Sequence, residues 1–71
     1  MEPLYKELER RGERIYDEIY GTSSPRGLLS EIKECFEAAI AAAEGEGLIE
    51  EGQRLRARLD HIVTVYHRQF S

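Results

Sequence analysis

Two glycine-rich breaks constrain the fold of this chain of 71 residues more than any other feature. They lie at residues 21–27 and 45–47, and they separate three segments rich in Glu, Arg, Leu and Ala, all good helix formers. No segment alternates apolar and polar residues with the period of two that a half-buried strand requires. The sequence therefore predicts an all-α protein with helices at about residues 3–20, 25–44 and 48–70.

The first segment predicts an amphipathic helix, because apolar residues recur along one face at about 100° per residue. Gly12 lies near the middle of this face, although glycine costs about 1 kcal/mol relative to alanine inside a helix. Two explanations stay open: a neighbouring backbone or a large ring approaches closely there, or the glycine is a tolerated weak point. The full apolar face comprises Leu4, Tyr5, Leu8, Gly12, Ile15, Tyr16 and Ile19.

The second and third segments contain residues that predict where their helices begin, end and pack. Ser24 is placed to cap the second helix with Pro25 as its first residue, and Gly45 is expected to end it in a left-handed conformation. Folding the two segments as a hairpin is expected to set Gly52 opposite the small residues Ala39 and Ala42. The third segment has a heptad-like seam that comprises Leu48, Gly52, Leu55, Leu59, Ile62, Tyr66 and Gln69.

Three amphipathic helices with short connections predict a three-helix bundle of up-down-up topology. The third helix, at about 22 residues and ~33 Å, is expected to extend past the second. Its final turns carry Tyr66 and Phe70, two large apolar side chains that need cover. A second copy of the chain is the simplest source of that cover, because small domains often complete a thin core by oligomerising. We therefore expect homodimerisation to complete the bundle.

Length and composition exclude several classes of protein. A single small domain of this length leaves no room for doubly wound sheets, barrels or two-domain clefts. Cys35 is the sole cysteine, so no intramolecular disulfide is expected. The longest apolar run covers residues 38–43, far short of the about 20 residues that cross a bilayer, and the N-terminus lacks the features of a signal peptide. We expect a cytoplasmic protein with no membrane partner.

The sequence contains no pattern typical of a metal site or a catalytic site. His61 and His67 are six residues apart, whereas two metal ligands on one helix need a spacing of three or four. Cys35 falls on an apolar face, and no histidine is placed near it by the helical pattern. A glycine-rich phosphate-binding loop is also not expected, because Gly45-Glu46-Gly47 would present a carboxylate where the phosphate has to bind. We predict that the protein is not an enzyme and binds no metal or cofactor.

Charge is distributed unevenly along the chain, whose net charge is −4. Residues 1–27 carry −1, residues 28–51 carry −6 and residues 52–71 carry +3. In the third helix, basic groups form an outer stripe that includes an exposed Val65; they are Arg54, Arg58, His61 and Arg68. We interpret this stripe as pairing with the acidic second helix, within one chain or across a dimer. The alternatives are an acidic protein partner and nucleic-acid phosphate.

Tyr20 and Ile49 lie at the edges of their apolar stripes, and we expect them to stay uncovered, as in a binding surface. The sequence thus predicts a non-enzymatic protein–protein interaction module: an adaptor, assembly chaperone, inhibitor or small regulatory subunit. Its expected partners are a second copy of itself and another protein. The alternative is a dimeric nucleic-acid-associated regulator that uses the arginine stripe. The candidate partner-binding residues are Tyr20, Ile49, Arg54, Arg58, Val65, Tyr66, Arg68 and Phe70.

Overall fold

The computed structural model describes residues 2–21 and 25–70, and these residues form three helices and no strand. Helix α1 spans Leu4–Glu18 and continues into a 3₁₀ turn at Ile19–Gly21, α2 spans Pro25–Gly45, and α3 spans Ile49–Phe70. The helices pack against one another, so the prediction of an all-α, three-helix fold is confirmed. Pro25 begins α2 as predicted, whereas the predicted cap Ser24 lies outside the described residues.

Helix α2 lies at the centre of the bundle, because it packs along both α1 and α3. Helices α1 and α3 run in the same direction, since contacts join Glu9 to Arg54 and Glu13 to Arg58. Helix α2 runs in the opposite direction, which gives an up-down-up arrangement. Its apolar face fills the space between the outer helices. The buried apolar side chains are Tyr5, Ile19, Leu29, Ile32, Phe36, Ala39, Ile40, Ala43, Leu55, Ile62 and Tyr66.

The turn between α2 and α3 is a Schellman motif. Gly47 has a φ of 77°, a left-handed conformation that glycine adopts without a steric penalty. The Leu48 N–H donates to the Ala43 carbonyl at 2.9 Å, and the Gly47 N–H donates to the Glu44 carbonyl at 3.0 Å. The prediction that Gly45 is the left-handed residue is wrong. Gly45 remains helical because the next amide still bonds back into α2.

Gly12 permits close packing of α1 on α2. A Cβ atom built on Gly12 would lie 2.7 Å from Cε2 and 2.8 Å from Cδ2 of Phe36, closer than carbon atoms approach in real contacts. Phe36 is completely buried, so its ring belongs to the centre of the core. Of the two explanations left open by the sequence, the approach of a large ring is the one that the structure shows.

Gly52 faces a different part of α2 from the part predicted. The atoms nearest to a Cβ built on Gly52 belong to the Glu44 side chain, the first at 3.1 Å. The tight turn at Gly47 sets this register, because it brings residues just before and just after the turn opposite each other. The expected contact of Gly52 with small side chains is therefore wrong; that expectation named Ala39 and Ala42.

Near the end of α3 the same chain covers Tyr66 but leaves Phe70 partly exposed. Tyr66 is only 6% exposed, so the expectation that it needs cover from a second copy is wrong. The first turns of α2 reach this end of α3, where Leu29 and Tyr66 line one groove. Phe70 packs its ring 5.1 Å from the Tyr66 ring, centroid to centroid, yet it remains 39% exposed.

Candidate protein-interaction surfaces

Two arginines of the predicted basic stripe are bound by carboxylates of α1. Arg54 Nη1 and Nη2 donate to the two oxygens of Glu9 at 2.7 and 2.9 Å, and Arg54 Nε donates to Glu51 Oε2 at 2.9 Å. One helical turn later, Arg58 Nε and Nη2 donate to the two oxygens of Glu13 at 2.7 and 2.8 Å. Both inter-helix pairs are bidentate, the geometry in which arginine–carboxylate pairs are strongest.

These pairs form a charge ladder that joins α1 to α3. The predicted pairing with the acidic second helix is wrong for Arg54 and Arg58. Helix α1 supplies the carboxylates because it runs parallel to α3, so glutamates four residues apart meet arginines four residues apart. Helix α2 faces a different side of α3, where Arg56 approaches Glu44 at 3.8 Å. The charge ladder consists of Glu9, Glu13, Glu51, Arg54 and Arg58.

The charge ladder stabilises the ionised forms of Glu9, Glu51 and Arg54. The hydrogen bond from Arg54 lowers the pKa of Glu9, and hydrogen bonds from Arg54 and then from Tyr5 lower the pKa of Glu51. The hydrogen bonds that Arg54 donates to Glu9 and then to Glu51 raise the pKa of Arg54 above its usual range. The Tyr5 hydroxyl donates to Glu51 Oε1 at 3.1 Å, and burial is the main cause of its raised pKa. These groups are engaged within the fold and hold two helices in register.

The rest of the predicted basic stripe comprises Val65, His61 and Arg68, and of these only Val65 is less exposed than predicted. Val65, expected to be exposed, is half-buried because its side of α3 faces α1, the same side that carries Arg54 and Arg58. His61 and Arg68 are exposed, and Arg68 forms no ion pair with any described residue. With two of its three arginines bound to carboxylates, the stripe is a weak surface for phosphate.

Aromatic rings gather where α3 ends, and we call this cluster of Tyr16, Tyr20, Tyr66 and Phe70 the aromatic end. The ring centroids lie 5.9 Å apart for Tyr16 and Tyr20, and 6.2 Å apart for Tyr20 and Phe70. The Tyr16 ring also lies beneath the Arg58 guanidinium, 5.5 Å from its Cζ atom. Tyr20 is 55% exposed, in keeping with its predicted position at the edge of a stripe. Exposed rings are thus held in place by more deeply buried ones.

A groove of about 310 Å³ opens beside the aromatic end, between α2 and α3. Arg26 and Leu29 of α2 line it, together with Tyr66, His67 and Phe70 of α3. Tyr66 and Phe70 are among the predicted partner-binding residues, whereas Arg26 and Leu29 are not. Arg26 and Leu29 are three residues apart and therefore lie on the same side of α2. This spacing indicates a groove only when the antiparallel register of α2 and α3 is known.

The opposite end of the bundle carries a second exposed apolar group. Ile49 is 58% exposed, as expected, and Leu48 is also exposed. A surface depression of about 380 Å³, lined by residues 47–51, lies here. Leu4, predicted on the buried face of α1, is exposed because it is the first residue of that helix. We call the tip formed by Glu46, Leu48, Ile49 and Glu50 the acidic end.

Cys35 offers little reactivity. It is half-buried on the face of α2 that packs near Gly12. Burial raises the pKa of its thiol, and the nearby Arg11 offsets this only in part, so little of the reactive thiolate forms at neutral pH. Within residues 2–21 and 25–70, His, Cys, Asp and Glu side chains form no group of three or more that is suited to a metal ion.

Among the described residues, exposed large apolar side chains cluster beside a groove or depression at the aromatic end and at the acidic end. In the described part of the chain, no helix combines the length and apolar character needed to cross a membrane. No family model, curated protein or solved structure matches the chain.

Proposed function

We propose that this chain is a non-enzymatic protein–protein interaction module that associates with further copies of itself, a homodimer being the smallest assembly, and docks through its aromatic end. One observation carries the proposal: Tyr20 and Phe70 remain exposed in a contacting ring cluster beside an apolar groove. Burial of such rings is a large source of stability for a small domain. Leaving them exposed is typical of a surface that another polypeptide covers.

The chemistry of the aromatic end supports docking of a protein. Tyrosine, phenylalanine and arginine are enriched where interfaces are most deeply buried, and the groove combines these types with the apolar Leu29. The rings already pack on one another, since Phe70 contacts both Tyr20 and Tyr66. Docking would therefore order few additional side chains, which favours affinity.

The predicted partner-binding residues take different roles in this proposal. Arg54 and Arg58 hold α1 against α3, and Tyr66 supports the groove from the core. Tyr20 and Phe70 supply apolar contact area, and rim charges would direct encounter more than they add affinity. A module of this kind would serve as a cytoplasmic adaptor, assembly chaperone, inhibitor or small regulatory subunit.

Sedimentation equilibrium over a concentration series tests the proposal. The average mass of the wild type is expected to rise above that of the monomer as concentration increases. Phe70→Gln removes the exposed ring and keeps a good helix former, and we expect association at least about tenfold weaker, the equivalent of losing one buried large side chain. Ala38→Gln is the matched control, because it changes an exposed residue near the middle of α2, and it is expected to behave as the wild type.

Two results would refute the proposal. A wild type that stays monomeric at every concentration excludes self-association. Association that Phe70→Gln leaves unchanged excludes the aromatic end as the docking surface. Far-UV circular dichroism of both variants is expected to match the wild type, because neither substituted residue belongs to the buried core.

A further inference from the structure

The two exposed apolar surfaces lie at opposite ends of the bundle and differ in charge. At the acidic end, Glu46 and Glu50 flank the exposed Leu48 and Ile49, and neither glutamate forms an ion pair with a described residue. Residues 44–51 contain four glutamates and no basic residue. Glu44 lies near Arg56 and Glu51 is bound by Arg54, so the carboxylates that flank this apolar tip without an ion pair to a described residue are those of Glu46 and Glu50.

The groove at the aromatic end has the complementary character. Arg26 lines it, and Arg68 is exposed on the last turn of α3. Within the described residues neither arginine forms an ion pair. Asp17 and Glu18 lie at the same end of the bundle but belong to α1 and do not line the groove. The groove therefore offers apolar walls and positive charge.

We infer that the acidic end of one copy docks into the groove at the aromatic end of another copy, with Ile49 between the apolar walls and Glu50 facing Arg26. This inference rests on the proposed self-association and names the two surfaces that meet. The groove, at about 310 Å³, has room for a branched aliphatic side chain. The Schellman turn at Gly47 holds the tip in one conformation, so docking requires little ordering of the backbone.

Charge favours this pairing over contact between two identical ends. If two acidic ends met, Glu46 and Glu50 of one copy would face the same two carboxylates of the other copy. If two aromatic ends met, Arg26 and Arg68 of one copy would face the same two arginines of the other copy. Like charges across an interface suppress association, whereas opposite charges steer the two surfaces together.

A contact between unlike ends has a consequence for assembly size. Such an interface is heterologous, so each pair of copies still presents one unoccupied end of each kind. Further copies add at either end, which gives a ring where the rotation closes and an open chain where it does not. Species larger than a dimer are therefore expected as concentration rises, unlike in a closed two-fold dimer.

Two variants, each damaged at one end, test the inference by sedimentation. Ile49→Gln removes the apolar tip, and Phe70→Gln removes one wall of the groove; both substitutions are uncharged. Each variant by itself is expected to associate at least about tenfold more weakly than the wild type. An equal mixture keeps one intact interface, between the tip of Phe70→Gln and the groove of Ile49→Gln. We expect the mixture to form a pair with one copy of each variant, at near wild-type affinity, and no larger species.

The outcomes separate this inference from the proposed function. If Ile49→Gln associates as the wild type does while Phe70→Gln does not, identical aromatic ends pair and the inference fails, although the proposed function stands. Failure of the mixture to form the mixed pair also overturns the inference. A monomeric wild type would overturn the proposed function itself. Added salt is expected to weaken wild-type association, and strengthening by salt would contradict the pairing of charges.

Discussion

Replacing Gly12 by alanine is expected to destabilise the protein, although alanine is the better helix former. At a helical position with free space around it, a glycine-to-alanine substitution would raise the free energy of unfolding by about 1 kcal/mol. At Gly12 the new methyl carbon would lie 2.7 and 2.8 Å from two carbons of Phe36. These separations are about 0.7–1.3 Å shorter than the optimal distance of about 3.5–4.0 Å between carbon atoms in contact. Because Phe36 is completely buried, its ring cannot relieve the overlap by moving toward solvent.

The magnitude follows from two opposing contributions. Overpacking a filled core costs about 1–3 kcal/mol, and the full burial of Phe36 places Gly12→Ala in the upper part of that range. The gain in helix propensity offsets about 1 kcal/mol of this. The net expectation is a loss of about 1–2 kcal/mol in the free energy of unfolding, or a fall in Tm of roughly 5–15 °C for a domain of this size.

Urea unfolding followed by far-UV circular dichroism measures this effect. All variants are compared at one protein concentration, because self-association would shift the measured stability. Gly27→Ala is the matched control: apart from its chain neighbours and the backbone of its own helix, no atom of the described residues lies within 4 Å of its added Cβ, so this variant is expected to be more stable than the wild type by up to about 1 kcal/mol. In a Phe36→Leu background, Gly12→Ala is expected to be less harmful, because the smaller side chain leaves room for the methyl group.

Gly12→Ala and Gly27→Ala are expected to change the free energy of unfolding in opposite directions. If Gly12→Ala were as stable as the wild type, the Phe36 ring would not press on α1. If the loss were the same with Phe36→Leu present, its cause would lie outside this contact. Either result would remove the explanation given for a glycine inside α1.

Two further predictions concern the charge ladder. Arg58→Ala is expected to lower the free energy of unfolding by about 1 kcal/mol, because both oxygens of an α1 carboxylate bind its guanidinium and a tyrosine ring lies beneath it. Arg56→Ala removes only an exposed 3.8 Å contact and should change stability by less than about 0.3 kcal/mol; equal effects in urea unfolding would contradict this assignment. Folding lowers the pKa values of Glu9 and Glu51 from 4.5, so their stabilisation is fully present above that pH and is lost as the pH falls through the lower folded-state values. Glu9→Gln is expected to flatten this loss in an acid titration of unfolding, compared with the exposed control Glu34→Gln; identical pH profiles would exclude a contribution from Glu9.

The helices themselves follow from local sequence. Helices α2 and α3, at Pro25–Gly45 and Ile49–Phe70, begin and end within one residue of the predicted bounds. Helix α1 ends at Glu18, and the rest of the predicted segment continues as a 3₁₀ turn. Propensity, apolar periodicity and glycine breaks act over a few residues, so a single chain read in order contains enough information for this level of structure.

Features that join distant residues were harder to predict. The partners of Arg54 and Arg58 depend on the alignment of α1 with α3, which no local pattern specifies. The role of Gly12 likewise depends on a distant residue, because Phe36 of α2 packs against it. The left-handed glycine is Gly47 and not the predicted Gly45, since the end of a helix depends on which amides still find carbonyl partners.

Local patterns were thus sufficient for the helical class of this protein and for the apolar face of each helix. Long-range packing decided which large side chains stay exposed: it covered Tyr66, half-covered Val65, and left Tyr20 and Phe70 in contact with solvent. It also brought Arg26 beside the last turn of α3 to form the groove. The physical reason is that exposure depends on the register and spacing of whole helices, which are set by the summed contacts of the core.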